Sequence, residues 1–250
     1  MIDAALIDGV EVLSLDAGNV IVFMDHERLS RILKRAGLVH SPESLRLAER
    51  EARVLQEAGK MTRIRWPHEN ESGARSWGAM LATIMERAGA PSDLLVEILV
   101  MLWHEHHEFN LWSRVPEGLI DSVRTLRERG VPTFVLSNSE GRLDRLFRRL
   151  DIFDAFAHVI DSGVLGIEKP DVRIFRALEE VSRSTPGKIL HLGDTIATDV
   201  DGAVAAGWRV ALVDPNGFVE GQRPEVPRVP GAREVAVALS ELRAGAVGTA

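Results

Sequence analysis

Five short β-rich runs, at residues 10–15, 133–136, 158–160, 189–192 and 209–213, punctuate the chain, and most are separated by stretches of helical periodicity. That alternation is the signature of a parallel sheet, because each return to the same edge needs a crossover and the crossover helices then cover both faces. Ile189, Leu190 and Leu192 give continuous apolar character, which suits strands buried on two sides. The expected architecture is α/β, with a doubly wound parallel sheet. Open sheets of this kind bind ligands beyond the carboxyl ends of their strands, and Asp16, Ser137, Gly193 and Asp194 fall just past such ends.

The ninety or so residues between the first two runs carry almost no strand signal. They predict helices over 26–36, 42–58, 74–88 and 92–109. In the third, Trp77, Met80, Leu81, Ile84 and Met85 recur at helical spacing and give one apolar face. Gly37, Gly59 and Gly89 are placed to close three of the helices as left-handed caps, and Ser41 and Ser92 to open two of them as N-caps. The expected organisation is a core of residues 1–24 and 114–250 interrupted by an all-helical insertion at 25–113. Pro224, Pro227 and Pro230 precede a last short helix near 232–243, beyond which the terminus is expected to fray.

A formal charge of −7 argues against a nucleic-acid partner, which would call for a basic face. The first residues, Met1-Ile2-Asp3-Ala4-Ala5, do not resemble a secretory signal. The most apolar stretch, 94–103, is interrupted by Glu97 and is too short to span a bilayer. The expectation is a soluble, cytoplasmic protein with no membrane partner; nothing specifies an oligomeric state. The absence of cysteine rules out disulfides and thiolate chemistry and leaves any metal to oxygen or imidazole ligands, favouring a hard cation such as magnesium.

Four pieces carry candidate chemistry. The first strand ends in Leu15-Asp16-Ala17-Gly18-Asn19-Val20, a carboxylate at the sheet edge with a glycine turn beside it; alone, such a pair is as well explained as a simple turn. The second ends in Leu136-Ser137-Asn138-Ser139, offering a hydroxyl and the Asn138 amide at an expected helix start, which is either an anion site or an ordinary N-cap. Glu168-Lys169-Pro170-Asp171 fixes a lysine just before a proline and a capped helix. Last, Gly193-Asp194 is followed five residues on by Asp199, a spacing that suits one metal-ligating carboxylate and a second that steadies the site.

In this order and on these strand ends, the four pieces resemble the haloacid dehalogenase superfamily over essentially the whole chain. The resemblance implies a Rossmann-like core with a helical cap inserted after the first strand. It implies Asp16 as nucleophile, Ser137 and Asn138 as phosphate-binding residues, Lys169 as the neutralising cation, and magnesium held by Asp16, the Gly18 carbonyl, Asp194 and Asp199. The expected activity is hydrolysis of small phosphorylated metabolites through an aspartyl-phosphate. In most phosphatases of the superfamily a second Asp lies two residues after the nucleophile and serves as general acid and base; here that residue is Gly18, which resembles a subset of sugar-phosphate phosphatases. A substrate whose leaving group needs little protonation, an acid supplied by Asp25, His68 or a histidine of the insertion, and dehalogenation or phosphonate cleavage all remain open. So does a catalytically weak protein that binds phosphorylated ligands.

Within the insertion, Arg63, Arg65, Trp66 and His68 occupy an expected loop that is either a substrate contact or a solvated charged segment. The run Trp103-His104-Glu105-His106-His107-Glu108 packs imidazoles and carboxylates together, but His104 faces Glu108 at helical spacing and lacks the His partner of a helical zinc pair.

Overall fold

The computed structural model describes residues 2–215, 217, 219 and 221–247, with side-chain burial given through residue 245; the terminus expected to fray lies largely outside these. Along the chain, α1 (Ala4–Ile7) and β1 (Val12–Leu15) lead to β2 (Phe23–Met24) and then to α2 (His26–Arg35), α3 (Pro42–Glu57), α4 (Ala74–Arg87) and α5 (Leu95–Glu108). β3 (Trp112–Arg114), α6 (Leu119–Glu128), β4 (Thr133–Ser137), α7 (Leu143–Arg149), β5 (His158–Asp161), α8 (Ser162–Leu165) and α9 (Val172–Ser182) follow. The chain then runs through β6 (Ile189–Gly193), α10 (Asp201–Ala206), β7 (Arg209–Val213), β8 (Arg228–Val229) and α11 (Ala232–Val247). It divides into two compact units, Met1–Phe23 with Val115–Ala250, and Met24–Arg114.

The first unit is built on a six-stranded sheet in the order β5-β4-β1-β6-β7-β8, parallel throughout. All four residues of β1, and all five of both β4 and β6, are buried, as expected where helices cover both faces. Central β1 is flanked by β4 and β6, with Leu15 opposite Val135 on one side and Leu192 on the other. That register brings three strand ends to one edge. β8 went unseen in the sequence because two residues among prolines carry no alternation; its place is set by pairing with β7.

The second unit packs its helices around Leu29, Leu33, Leu45, Leu81, Ile84, Leu99, Leu102 and three tryptophans, Trp66, Trp77 and Trp103. Gly37, Gly59 and Gly89 take positive φ after their helices, and the Ser41 hydroxyl accepts from Ser44 N as the N-cap of α3. Ser92 does not cap a helix. Pro91 directs it into a short 3₁₀ turn, Ser92–Leu94, and α5 proper begins at Leu95.

Candidate active site

Asp16 lies one residue beyond β1, its amide donating to the Leu192 carbonyl of β6 at 2.9 Å. Lys169 reaches it from the loop before α9, and its ammonium Nζ stands 2.7 Å from Asp16 Oδ1 and 2.5 Å from Asp199 Oδ1. Both salt bridges are almost wholly withdrawn from solvent. The main chain of Lys169 is held in turn by Asn138, whose carboxamide accepts from Lys169 N at 2.8 Å and donates to its carbonyl at 2.9 Å. With both ends of that side chain committed, Asn138 positions the lysine. No helix starts at Asn138, α7 beginning only at Leu143. Ser137 is buried as the last residue of β4, the strand beside β1.

Asp199 comes from a single π-helical turn, Ile196–Val200, in which Val200 N bonds back to the Thr195 carbonyl. Such one-turn widenings re-aim a side chain within an otherwise helical segment. Here Asp199 Oδ2 accepts from Thr195 N at 3.1 Å, while Oδ1 faces Lys169 and, at 3.1 Å, His191 Nε2. Asp194, just past β6, is contacted by Asn19 Nδ2 at 3.1 Å and by the Thr195 hydroxyl at 3.2 Å. Asn19 sits at φ 56°, in the left-handed region that Asn tolerates better than most residues.

Two carboxylates thus share one ammonium, and a third lies close to both. Asp16, Asp194 and Asp199 each place an oxygen within 4.8 Å of the others. Burial drives the Asp16 carboxyl up, Lys169 draws it back, and the charges of Asp199 and Asp194 raise it again, to about 7. Burial acts on Asp199 in the same sense, but Lys169 and the His191 hydrogen bond hold it well below the ordinary carboxylate range. The two carboxylates share one lysine yet move in opposite directions, because Asp199 collects donors on both oxygens and Asp16 faces two like charges. Burial pulls the Lys169 ammonium down, and its two carboxylates more than reverse this. An all-oxygen donor set of three neighbouring carboxylates fits a hard divalent cation.

Two supporting groups, His191 and Ser14, went unread in the sequence. Each is a polar residue in an otherwise aliphatic strand, Ile-Leu-His-Leu and Val-Leu-Ser-Leu, and that interruption was the available signal. They are cross-strand partners in the β1–β6 register.

The residues expected of the insertion lie in the second unit. Trp66 is buried, stacked on Trp77 and edge-on to Trp103, and so forms part of the core of this unit. His68 Nδ1 stands 2.6 Å from Glu71 Oε1, Arg65 is exposed, and the Asp25 carboxylate accepts from Arg28 N as the N-cap of α2. In the His104–His107 run, His106 is buried and accepts at Nδ1 from Trp77 Nε1 and Leu111 N, both at 3.2 Å. Among the described residues, the acidic group of the first unit is the one cluster of metal-ligating side chains.

Residues 10–207 match the family model described as haloacid dehalogenase-like hydrolase. Among curated proteins, the haloacid dehalogenase-like hydrolase domain-containing protein 3 of Mus musculus is 28% identical over 138 residues, 55% of this chain and 55% of its own length. A phosphoserine phosphatase of Thermus thermophilus is 30% identical over 161 residues, 62% of this chain and 61% of its own length. The chain spans only about half the length of the first curated relatives it matches. Among solved structures, the putative HAD-hydrolase YfnB from Bacillus subtilis, bound to magnesium, shares the fold with a TM-score of 0.63 at 17% identity, over 92% of this chain and 98% of its own.

Proposed function

The chain belongs to the haloacid dehalogenase-like hydrolases, and within that family we propose that it is a magnesium-dependent phosphatase of small phosphorylated metabolites, working through an aspartyl-phosphate on Asp16. The observation that carries this reading is the buried Asp16, paired to Lys169 at 2.7 Å and flanked by two further carboxylates.

Asp16, Asp194 and the Gly18 carbonyl would hold the magnesium ion, with Asp199 steadying the group. When bound, the cation supplies charge neutralisation between the anionic nucleophile and the phosphate, and a template for in-line attack. Asp16 forms a bond to phosphorus as the bond to the leaving oxygen breaks, and water later displaces the carboxylate to release phosphate. Lys169 and the Ser137 hydroxyl stabilise charge on the non-bridging oxygens. Asn138 serves this step indirectly by fixing the Lys169 backbone. Gly18 supplies no proton to the departing oxygen, so the reading favours acyl phosphates or sugar 1-phosphate-like esters, whose leaving groups need little protonation. Two of the relatives, a phosphoserine phosphatase and a phosphoglycolate phosphatase, support the phosphatase class.

Gly18 also favours a second reading, dehalogenation or phosphonate cleavage on the same scaffold. Attack on a carbon–halogen bond sets no phosphate dianion against the nucleophile and has no need of a cation, and three crowded carboxylates would then be a cost without a use. The test is a screen of phosphate release over sugar phosphates, acyl phosphates, nucleotides and phosphonates with and without magnesium, beside halide release from chloroacetate. Magnesium-dependent release from phosphate esters or acyl phosphates is expected. Chloride release that survives chelation would transfer the assignment to the dehalogenase reading.

A further inference from the structure

His191 sits in the middle of β6, fully buried. Phe175 and Trp208 both stand edge-on to its ring, with centroids at 6.0 and 6.2 Å. A leucine would fill such a place without the cost of burying two polar nitrogens. The imidazole is instead engaged at both: Nδ1 is 2.9 Å from Ser14 Oγ, and Nε2 is 3.1 Å from Asp199 Oδ1. The same Asp199 oxygen lies 2.5 Å from Lys169 Nζ, and that ammonium lies 2.7 Å from Asp16. One line of polar contacts therefore runs from the sheet interior to the proposed nucleophile.

The direction of the line follows from the chemistry of its members. An ionised carboxylate only accepts hydrogen bonds, so the ring nitrogen facing Asp199 must carry the proton. In a neutral ring the other nitrogen is then bare, and the Ser14 hydroxyl donates to it. We propose that His191 is a positioning residue: as the Nε2–H tautomer, set by the Ser14 hydroxyl, it fixes the Asp199 carboxylate and through it holds the Lys169 ammonium against Asp16. The inference rests on the role given above to Lys169, but the tautomer itself can be observed without turnover.

The experiment has two arms. In the first, histidine ring nitrogens of the ¹⁵N-labelled, metal-free protein are observed by long-range proton correlation, with His191→Gln used to assign the signals. The expected result is a neutral ring protonated at Nε2, and Ser14→Ala should weaken that preference. An Nδ1–H ring or an imidazolium near neutral pH would overturn the proposal. In the second arm, His191→Gln retains an N–H near the Nε2 position, whereas His191→Asn keeps an amide opposite Ser14 and loses the donor to Asp199. With matched thermal midpoints, the Gln variant should keep kcat within about threefold of the parent, and the Asn variant should lose about tenfold or more, as expected for a small displacement of a catalytic cation. Equal losses in both variants would reduce His191 to a packing residue and overturn the proposal. If the parent itself releases no phosphate from any compound, the proposed function fails while the tautomer measurement still decides the positioning role.

Discussion

A Cβ placed on Gly193 would stand 2.2 Å from Asp199 Cγ. The last residue of β6 is therefore glycine because the carboxylate that braces Lys169 passes directly over it. Asp199 has little freedom to give way, being tied to Lys169, His191 and Thr195. Gly193→Ala should destabilise the fold by about 1–3 kcal/mol, the usual cost of forcing a close-packed site apart, and should lower kcat through displacement of Lys169. Denaturant midpoints and phosphate release on the purified variant check this. A variant with the parent's stability and rate would show that Asp199 is more loosely held than its contacts imply.

The missing acid gives a second prediction. At Gly18 a Cβ would meet nothing closer than Asp16 Oδ2 at 3.9 Å, and Gly18 is not among the positive-φ glycines. Gly18→Asp thus has room for its Cβ. It should accelerate alkyl phosphates, whose alkoxide leaving groups need a proton, by up to about 10²-fold, the lower end of the contribution of a positioned acid. Aryl and acyl phosphates should change little. If the alkyl-to-aryl rate ratio does not move, another residue supplies the proton, and Asp25 and the histidines of the second unit become the positions to vary.

Metal binding should be visible in stability as well as in rate. A cation that binds the folded site alone adds about 2.7 kcal/mol when present at a hundred times its dissociation constant. Magnesium should therefore raise the thermal midpoint of the parent protein, and Asp194→Ala should abolish most of that rise while chelation stops turnover of the parent. Full activity in excess chelator, with no magnesium-dependent shift in midpoint, would remove the cation from the mechanism.

Trp66→Ala should act on folding. Trp66 is 5% exposed and packs against Trp77 and Trp103, so truncation should cost about 3–5 kcal/mol, as for other buried aromatic residues. Denaturant unfolding followed by near-ultraviolet circular dichroism measures this. A variant that keeps its stability and shows only a raised KM would return Trp66 to the substrate contacts.

Sequence alone revealed what repeats or recurs at fixed spacing. The alternation of strands and helices located β1, β4, β5, β6 and β7 closely, and strand-end placement brought Asp16, Ser137 and Asp194 forward, while Lys169 and Asp199 joined them only through the family resemblance; the structure brings Asp16, Asp194 and Asp199 together and sets Lys169 against Asp16. What the sequence did not reveal has a physical origin. Ser92 carries the residue type of an N-cap, but Pro91 before it directs a 3₁₀ turn. The structural partners of Asn138 and Trp66 were hidden because local sequence does not record long-range contacts: Lys169 is 31 residues from Asn138, and the tryptophans meet only when the helices fold together. His191 and Ser14 were missed because their partnership depends on strand order, which brings β1 beside β6.

The central claim is that Asp16 becomes phosphorylated during turnover. Acid quench of the protein in the first turnovers of its best substrate with magnesium, followed by peptide mass analysis, tests it most directly. The account predicts a phosphoryl group on the peptide containing Asp16, sensitive to base as an acyl phosphate should be, and absent from Asp16→Asn, which should also release no phosphate. Phosphate release by Asp16→Asn at the parent's rate, or turnover of the parent with no phosphoryl group on that peptide when quenched across the burst and the steady state, would contradict it.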